Sequence, residues 1–381
     1  MTSEVLEFAG QQLTLARPGN DGQVLRAWDA ADELLLEEAR LWVTAKSRVL
    51  VVDDQFGALT LGLSDHAPVS VADSAALDKA LTANAARNPD RPVPVSPCSW
   101  LHPPTGSFDL VVMRIPRQAE YLAWLLRWVN GVLAENGCLL AGGMIKHLPD
   151  RSVDVFSAAV ATEAVLPARK KARVVVCRRG GERLDNWAST WKGYNAPLVP
   201  VAVEAMPAVF ARDRLDIGTR ELLPLITPSV RALSAGARVL DLACGNGVLG
   251  LTALASRLDV DVDFSDVSSQ AIASVRRNLE RSGYLARAQL HHSDGISSDC
   301  SQYPLILLNP PFHEGGVVGD HIALRLFSDA ARHLAPGGRL LMVGNRHLGY
   351  HKTLKRFFRK VEQRAASPRF VVFEAAQHDD C

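Results

Sequence analysis

Asn309-Pro310-Pro311-Phe312 is the stretch of this 381-residue chain best built for chemistry. It follows Leu305-Ile-Leu-Leu308, an apolar run that reads as a buried strand. Proline cannot continue a sheet, so the pair holds the Asn309 side chain and the neighbouring carbonyls in a rigid turn at the strand's end. A planar amine entering that turn can donate one hydrogen to the Asn309 side-chain oxygen and the other to the Pro310 carbonyl, with Phe312 stacked on its ring. The lone pair of such an amine is delocalised into its π-system. Two acceptors on its hydrogens turn that lone pair toward an incoming methyl group and stabilise the positive charge of the transition state. No covalent intermediate is needed, and alignment with a sulfonium methyl supplies much of the remaining acceleration.

A second group of residues suits a small charged ligand. Arg238-Val-Leu-Asp-Leu242 reads as a strand running into Ala243-Cys-Gly-Asn-Gly247 and then a helix. Gly245 and Gly247 let backbone N–H groups approach a carboxylate or a phosphate at the helix N-terminus. With Gly250 the spacing is G-x-G-x-x-G, which by itself fits a tight turn or a dinucleotide equally well. Asp266 ends the next strand about 20 residues beyond the loop, where a carboxylate can take both hydroxyls of a ribose. Ser293-Asp294-Gly295 follows the strand-like Ala288 to His292, placing Asp294 either to accept from an adenine amino group or to cap a turn. The proline turn at Asn309 disfavours a dinucleotide oxidoreductase.

These residues need strands to carry them, and the chain supplies the pattern twice. Val239 to Leu251 has a counterpart at Val49 to Leu61, Val262 to Asp266 at Val69 to Asp73, Leu305 to Leu308 at Leu110 to Met113, and Leu334 to Leu341 at Leu133 to Leu140. Helical stretches with an Asn, Asn84 and Asn278, follow each second strand. The alternation predicts an α/β chain of two tandem doubly wound, mostly parallel sheets with ligands at the carboxyl ends of their strands. The glycine-rich and polar stretch Arg179 to Tyr194 places the boundary near residue 190, giving domains 1–190 and 191–381. The first half has Gln55 where the second has Gly245, and Arg114-Ile-Pro116 where it has Asn309-Pro-Pro. That half is therefore expected to serve recognition or scaffolding and to lack chemistry.

Composition agrees with a folded chain, with 48% hydrophobic residues, 22% charged and a mean hydropathy of +0.03. The most apolar helical stretch, Tyr121 to Leu133, is broken by Arg127 and falls short of the ~20 residues of a membrane span. Met1 to Gly10 does not read as a signal peptide, so a cytoplasmic protein is expected. Cys98, Cys138, Cys177, Cys244, Cys300 and Cys381 lack zinc-type spacing and are expected as reduced thiols without metal. A net charge of +1 leaves any nucleic-acid partner to a local patch.

The order Asp241-x-x-Cys-Gly-Asn-Gly247, Asp266, Asn309-Pro-Pro-Phe312 resembles the class I amino-methyltransferases. The duplication is similar to that of the bacterial ribosomal RNA guanine-N2 methyltransferases. Leu25 to Glu33, Phe210 to Arg220 and Gly344 to Tyr350 are nearest to the large-subunit (23S) family. The resemblance implies two Rossmann-like class I methyltransferase domains, the N-terminal one degenerate, with S-adenosylmethionine as cofactor and ribosomal RNA, 23S favoured, as partner of a monomeric enzyme. It puts Asp241, Gly245, Asn246, Gly247, Asp266 and Asp294 at cofactor positions and Asn309 to Phe312 at the target amine. Ala243 stands where Gly is more usual, a change expected to matter little. Arg212, Arg214, Arg346 and His347 are expected at the RNA, with Arg220, the Lys170-Lys171-Arg173 cluster and a helical stretch carrying Lys352, Lys355, Arg356, Arg359 and Lys360 as further candidates. Trp187 and Trp191 are expected to pack between domains. The same tetrapeptide would also serve 16S guanine, adenine N6 or a protein glutamine, and an assembly factor with a vestigial site is the alternative outside enzymes.

Overall fold

The computed structural model describes residues 4–18, 26–148, 151–297, 301–311 and 318–377, so Leu25, Cys300, Phe312 and Cys381 lie outside the described residues. The chain divides into two compact units, residues 1–190 and 191–381. In the first, β1 (Val5–Phe8) and β2 (Gln11–Thr14) form an antiparallel hairpin. There follow α1 (Ala30–Trp42), β3 (Val49–Val52), α2 (Ala58–Gly62), β4 (Val69–Val71), α3 (Ala76–Ala86), β5 (Phe108–Arg114), α4 (Ala119–Val132), β6 (Leu133–Met144), α5 (Ser152–Ser157), β7 (Ala161–Val165) and β8 (Ala172–Arg178). The sheet order is β4-β3-β5-β6-β8-β7, with the first four strands parallel and the last two antiparallel.

The second unit repeats the plan. A hairpin of β9 (Lys192–Tyr194) and β10 (Val203–Ala205) precedes α6 (Ile217–Arg231), β11 (Arg238–Leu242), α7 (Val248–Ser256), β12 (Asp261–Asp266), α8 (Ser269–Ser282), β13 (Ala288–His292), β14 (Tyr303–Leu308), α9 (Val318–His333), β15 (Leu334–Asn345), α10 (Tyr350–Leu354), β16 (Lys360–Ala366) and β17 (Phe370–Ala376). Its order, β13-β12-β11-β14-β15-β17-β16, adds an edge strand that the first unit lacks. There the chain instead makes a single parallel bridge from Val71 to Cys98. Parallel strands covered on both faces must be apolar throughout, and β3 (Val-Leu-Val-Val) and most of β14 (Tyr-Pro-Leu-Ile-Leu-Leu) are. The chain leaves β11 toward β12 on one side and β14 on the other, a switch point whose crevice opens at the strands' carboxyl ends.

The two units match residue by residue. Leu242 pairs with Leu308 as Val52 pairs with Met113, so Asn309 and Arg114 occupy equivalent places. Asn278 accepts from Glu204 N and donates to the carbonyls of Glu204 and Asn246, tying the hairpin to the loop after β11. Asn84 does the same with Ala16 and Phe56. Both asparagines are fully buried, which a side chain with two donors and an acceptor tolerates only when satisfied. Trp187 and Trp191 receive Arg127 and Arg277, each within its own unit. The helix expected under Lys352 to Lys360 is short, because α10 ends at Leu354 and Lys360 opens β16. Cys98, Cys138, Cys177 and Cys244 are free thiols that burial pushes up, Cys177 to about 12. Among the described residues no helix is long and apolar enough to cross a membrane.

Candidate active site

The loop after β11 is shaped from beneath by Asp241. Its side chain is wholly buried, and one oxygen accepts from Gly250 N at 2.8 Å, anchoring the first turn of α7 to the strand. The other oxygen has no partner among the described residues, and burial pushes this carboxyl well above the usual range. Gly247, at φ 82°, caps α7, and a Cβ there would lie 2.9 Å from Val275. At Gly250 a Cβ would fall 2.2 Å from Phe264, so this glycine serves helix-against-strand packing. At Gly245, φ 55°, an added Cβ would meet nothing within 4 Å, which marks the side of the loop left open. Ala243 has φ 54°, left-handed backbone that costs an alanine roughly 1 kcal/mol. That is the reason glycine suits the position, and the change is less neutral than its small side chain suggests.

Asp266 closes β12 beside this opening. One carboxylate oxygen accepts from Gly245 N and the other from Ser268 N, both at 2.8 Å. Two expected cofactor residues behave otherwise. Asn246 is buried with its amide nitrogen on the Tyr194 hydroxyl (3.0 Å) and the Ala211 carbonyl and its oxygen on Val248 N, so its side chain ties the loop to the hairpin and to the start of α7. Asp294 is paired with both terminal nitrogens of Arg325 on α9, and each of its oxygens keeps a lone pair beyond that ion pair.

Asn309 follows β14 at the far side of the switch point. Its Nδ2 donates to Thr219 Oγ1 (2.9 Å) and to Asp216 Oδ2 (3.3 Å). Asp216 also caps α6 by accepting from Thr219 N at 2.8 Å, so the first turn of that helix fixes the asparagine. Asn309 Oδ1 is buried and without a partner among the described residues, an acceptor with its lone pairs unused. Pro310 is buried beside it, Pro311 is half-buried, and Phe312 lies outside the described residues. Sequence reading missed Asp216 and Thr219 as functional positions, although an Asp three residues before a Thr at a helix start was a legible capping signal.

Of the expected RNA contacts, Arg212 is corrected: it is buried, and its Nε donates to the Ala205 carbonyl at 3.0 Å, supporting β10. Arg214 is exposed four residues after Phe210, an aromatic that is 66% exposed. Arg346 and His347 are exposed directly after β15, at the carboxyl end of the sheet, with the Arg346 guanidinium on the Ser367 carbonyl. Lys170 is drawn to Glu33.

The same places in the first unit are filled. Arg114, in the position of Asn309, is buried and donates to Asp29 at 2.8 and 2.7 Å and to Asp32 at 3.1 Å. Above β3, the Tyr121 hydroxyl bonds Asp53 and receives Trp100 Nε1 at 2.8 Å, with Trp124 and Trp128 edge-on to Trp100. Burial and the neighbouring Asp73 push Asp53 up to about 7.

Sheet order, open glycine loop, acid after the second strand and buried acceptor after the fourth define a class I S-adenosylmethionine-dependent methyltransferase domain, preceded by a degenerate copy of itself. Comparison with known proteins agrees at both levels: residues 3–181 match the RLMG N-terminal domain, and residues 200–374 the Methyltransferase small domain. The chain is 39% identical to the Ribosomal RNA large subunit methyltransferase G of Pseudomonas aeruginosa, over 96% of this chain and 98% of that one. The protein of that name from Alcanivorax borkumensis is 37% identical over 95% and 94%. This chain belongs to the ribosomal RNA large subunit methyltransferase G family. The fold is also that of a T. thermophilus 16S rRNA N2 G1207 methyltransferase solved in complex with AdoMet and guanosine, at TM-score 0.77 and 22% identity, covering 99% of this chain and 100% of that one.

Proposed function

We propose that this protein transfers a methyl group from S-adenosylmethionine to the exocyclic N2 amine of a guanine in 23S ribosomal RNA. The observation that carries the proposal is Asn309 Oδ1, a buried acceptor at the end of β14 without a partner among the described residues, held by an amide whose other end is fully engaged. The names of the relatives support the large subunit, and the guanosine bound to the structural neighbour supports guanine.

The residues present fit the cofactor. The open side of Gly245 leaves room for it, and Asp266 stands where a ribose would be read. Bound there, it supplies an electrophilic sulfonium methyl. Gly245 and Gly247 let the backbone approach, and Asp266 exchanges its bond from Gly245 N for the ribose hydroxyls. Asn309 Oδ1 and the Pro310 carbonyl would accept the two hydrogens of the guanine amine and keep its lone pair directed at the methyl carbon, stabilising positive charge as the nitrogen–carbon bond forms and the methyl–sulfur bond breaks; the methylated nitrogen then gives up one of its protons to water. The first unit, with Arg114 and the Trp100–Tyr121 group in place of a ligand site, contributes RNA recognition or scaffolding, and Arg214, Arg346 and His347 supply contacts at the rim of the second.

The test is methylation of purified 23S and 16S rRNA by the full chain with labelled cofactor, followed by nucleoside analysis and mapping. N2-methylguanosine at one site in 23S is expected; label in 16S alone, or N6-methyladenosine, would overturn the assignment. Asp266→Ala should weaken the cofactor by about 1–3 kcal/mol through loss of charge-assisted hydrogen bonds, measured by calorimetry. Unchanged affinity would move the ribose site elsewhere.

A further inference from the structure

We infer that Asp216 and Thr219 are positioning residues that decide which end of the Asn309 amide meets the target amine. The inference rests on the reading of Asn309 as the acceptor for that amine. The two ends of a primary amide are nearly equal in size, and a rotation of half a turn exchanges oxygen for NH2. An NH2 turned toward the substrate would oppose its donors, and transfer would lose its acceptor. A carboxylate can only accept, so Asp216 Oδ2, 3.3 Å away, must face the NH2 end. Thr219 Oγ1 takes the same nitrogen at 2.9 Å. With Nδ2 held twice, Oδ1 has one direction left, and there it is buried with no partner among the described residues. The lever is the first turn of α6, because Asp216 Oδ2 also receives Thr219 N at 2.8 Å and cannot drift from its cap position.

The first unit provides an internal comparison. Asp29 caps α1 as Asp216 caps α6, and Asp32 follows it at the spacing of Thr219. The pair grips a donor at the end of β5, as Asp216 and Thr219 do after β14. There the donor is the Arg114 guanidinium, which has no acceptor to present onward. Both units thus hold a donor with the same helical turn, and only the second holds one whose opposite end accepts. Chemistry at this position therefore requires the asparagine and the turn that orients it.

Single-turnover transfer to 23S rRNA with saturating S-adenosylmethionine tests this in Thr219→Val, Thr219→Ser, Asp216→Ser, Asn309→Ala and the Thr219→Val/Asn309→Ala pair. Valine matches threonine in shape without the acceptor, and serine at 216 can still cap the helix without reaching Asn309. Thr219→Val and Asp216→Ser should each slow transfer about tenfold, with cofactor affinity and melting temperature unchanged, and Thr219→Ser should restore most of the rate. The double variant should be no slower than Asn309→Ala, because a misaligned amide no longer matters once it is gone. Wild-type transfer by Thr219→Val beside a collapse in Asn309→Ala would overturn the inference and leave the function standing. A further tenfold loss in the double variant would overturn it too. Wild-type transfer by Asn309→Ala would overturn the reading beneath it.

Discussion

Replacing Asn309 by alanine should lower the single-turnover rate of methyl transfer by about 10²–10³, the loss seen when one preorganised group aimed at developing charge is removed. Asn309 Oδ1 has no partner among the described residues, so the variant disturbs no described bond of that atom, and on the proposed mechanism the interaction lost is the one to the target amine. It bears on the amine more strongly as positive charge grows there, which places the effect on the rate and leaves cofactor affinity nearly unchanged. Asp216 and Thr219 would each lose a neutral donor. The check is rate against cofactor affinity in separate measurements. A wild-type rate would reduce the Asn309-Pro310-Pro311 turn to a structural feature.

Arg114→Ala should destabilise the first unit by about 3–5 kcal/mol, because it leaves the buried Asp32 and the half-buried Asp29 without their cation. Arg114 and Asp32 are each only 8% exposed at the side chain. Burial acts against charge on Asp29, yet the Arg114 hydrogen bond and charge hold it below the usual range. For Asp32 burial prevails, and with the nearby Asp29 charge it pushes the carboxyl up to about 7 despite Arg114. The sign follows. A group raised in the folded state binds its proton more tightly there than when unfolded, so stability falls as pH rises between about 4 and 7. Without the guanidinium both carboxylates move up, the folded state holds more excess protons over that window, and the deficit against wild type should be larger at pH 8 than at pH 5. Six of the seven tryptophans precede residue 190, so urea unfolding followed by their fluorescence reports mainly on this unit. A deficit that shrank as pH rose would show that the two aspartates do not depend on Arg114.

Much of this architecture was legible in the sequence because it rests on local and periodic signals. Apolar runs at repeated spacing gave β3, β5, β11, β12 and β14, and β13 falls at Ala288–His292 as the sequence predicts. Gly245 and Gly247 marked a loop whose backbone can approach a ligand closely, and two successive prolines after an apolar strand marked a rigid turn; the structure adds that both glycines take left-handed backbone. The loss of equipment in the first unit was equally plain, since Gln55 and Arg114 cannot do what glycine and asparagine do. Each of these conclusions depends on what one residue type permits at one place in the chain.

What only the tertiary structure decided is where side chains distant in sequence meet. Asp294 and Arg325 are 31 residues apart, and nothing local announces that the arginine of α9 takes the carboxylate expected at an adenine. Arg212 looked like a free cation among basic neighbours and is instead buried against the Ala205 carbonyl. Asn246, inside the glycine loop, is claimed by Tyr194 from a hairpin 52 residues away. The orientation of Asn309 comes from Asp216 and Thr219, 93 and 90 residues earlier, because two elements remote in sequence converge at the carboxyl edge of one sheet. Sequence by itself determined which groups this protein has for chemistry; the meeting of the first turn of α6 with the residue after β14 decided which way the Asn309 amide points, since a hydrogen bond is set by distance and direction and neither is written in residue order.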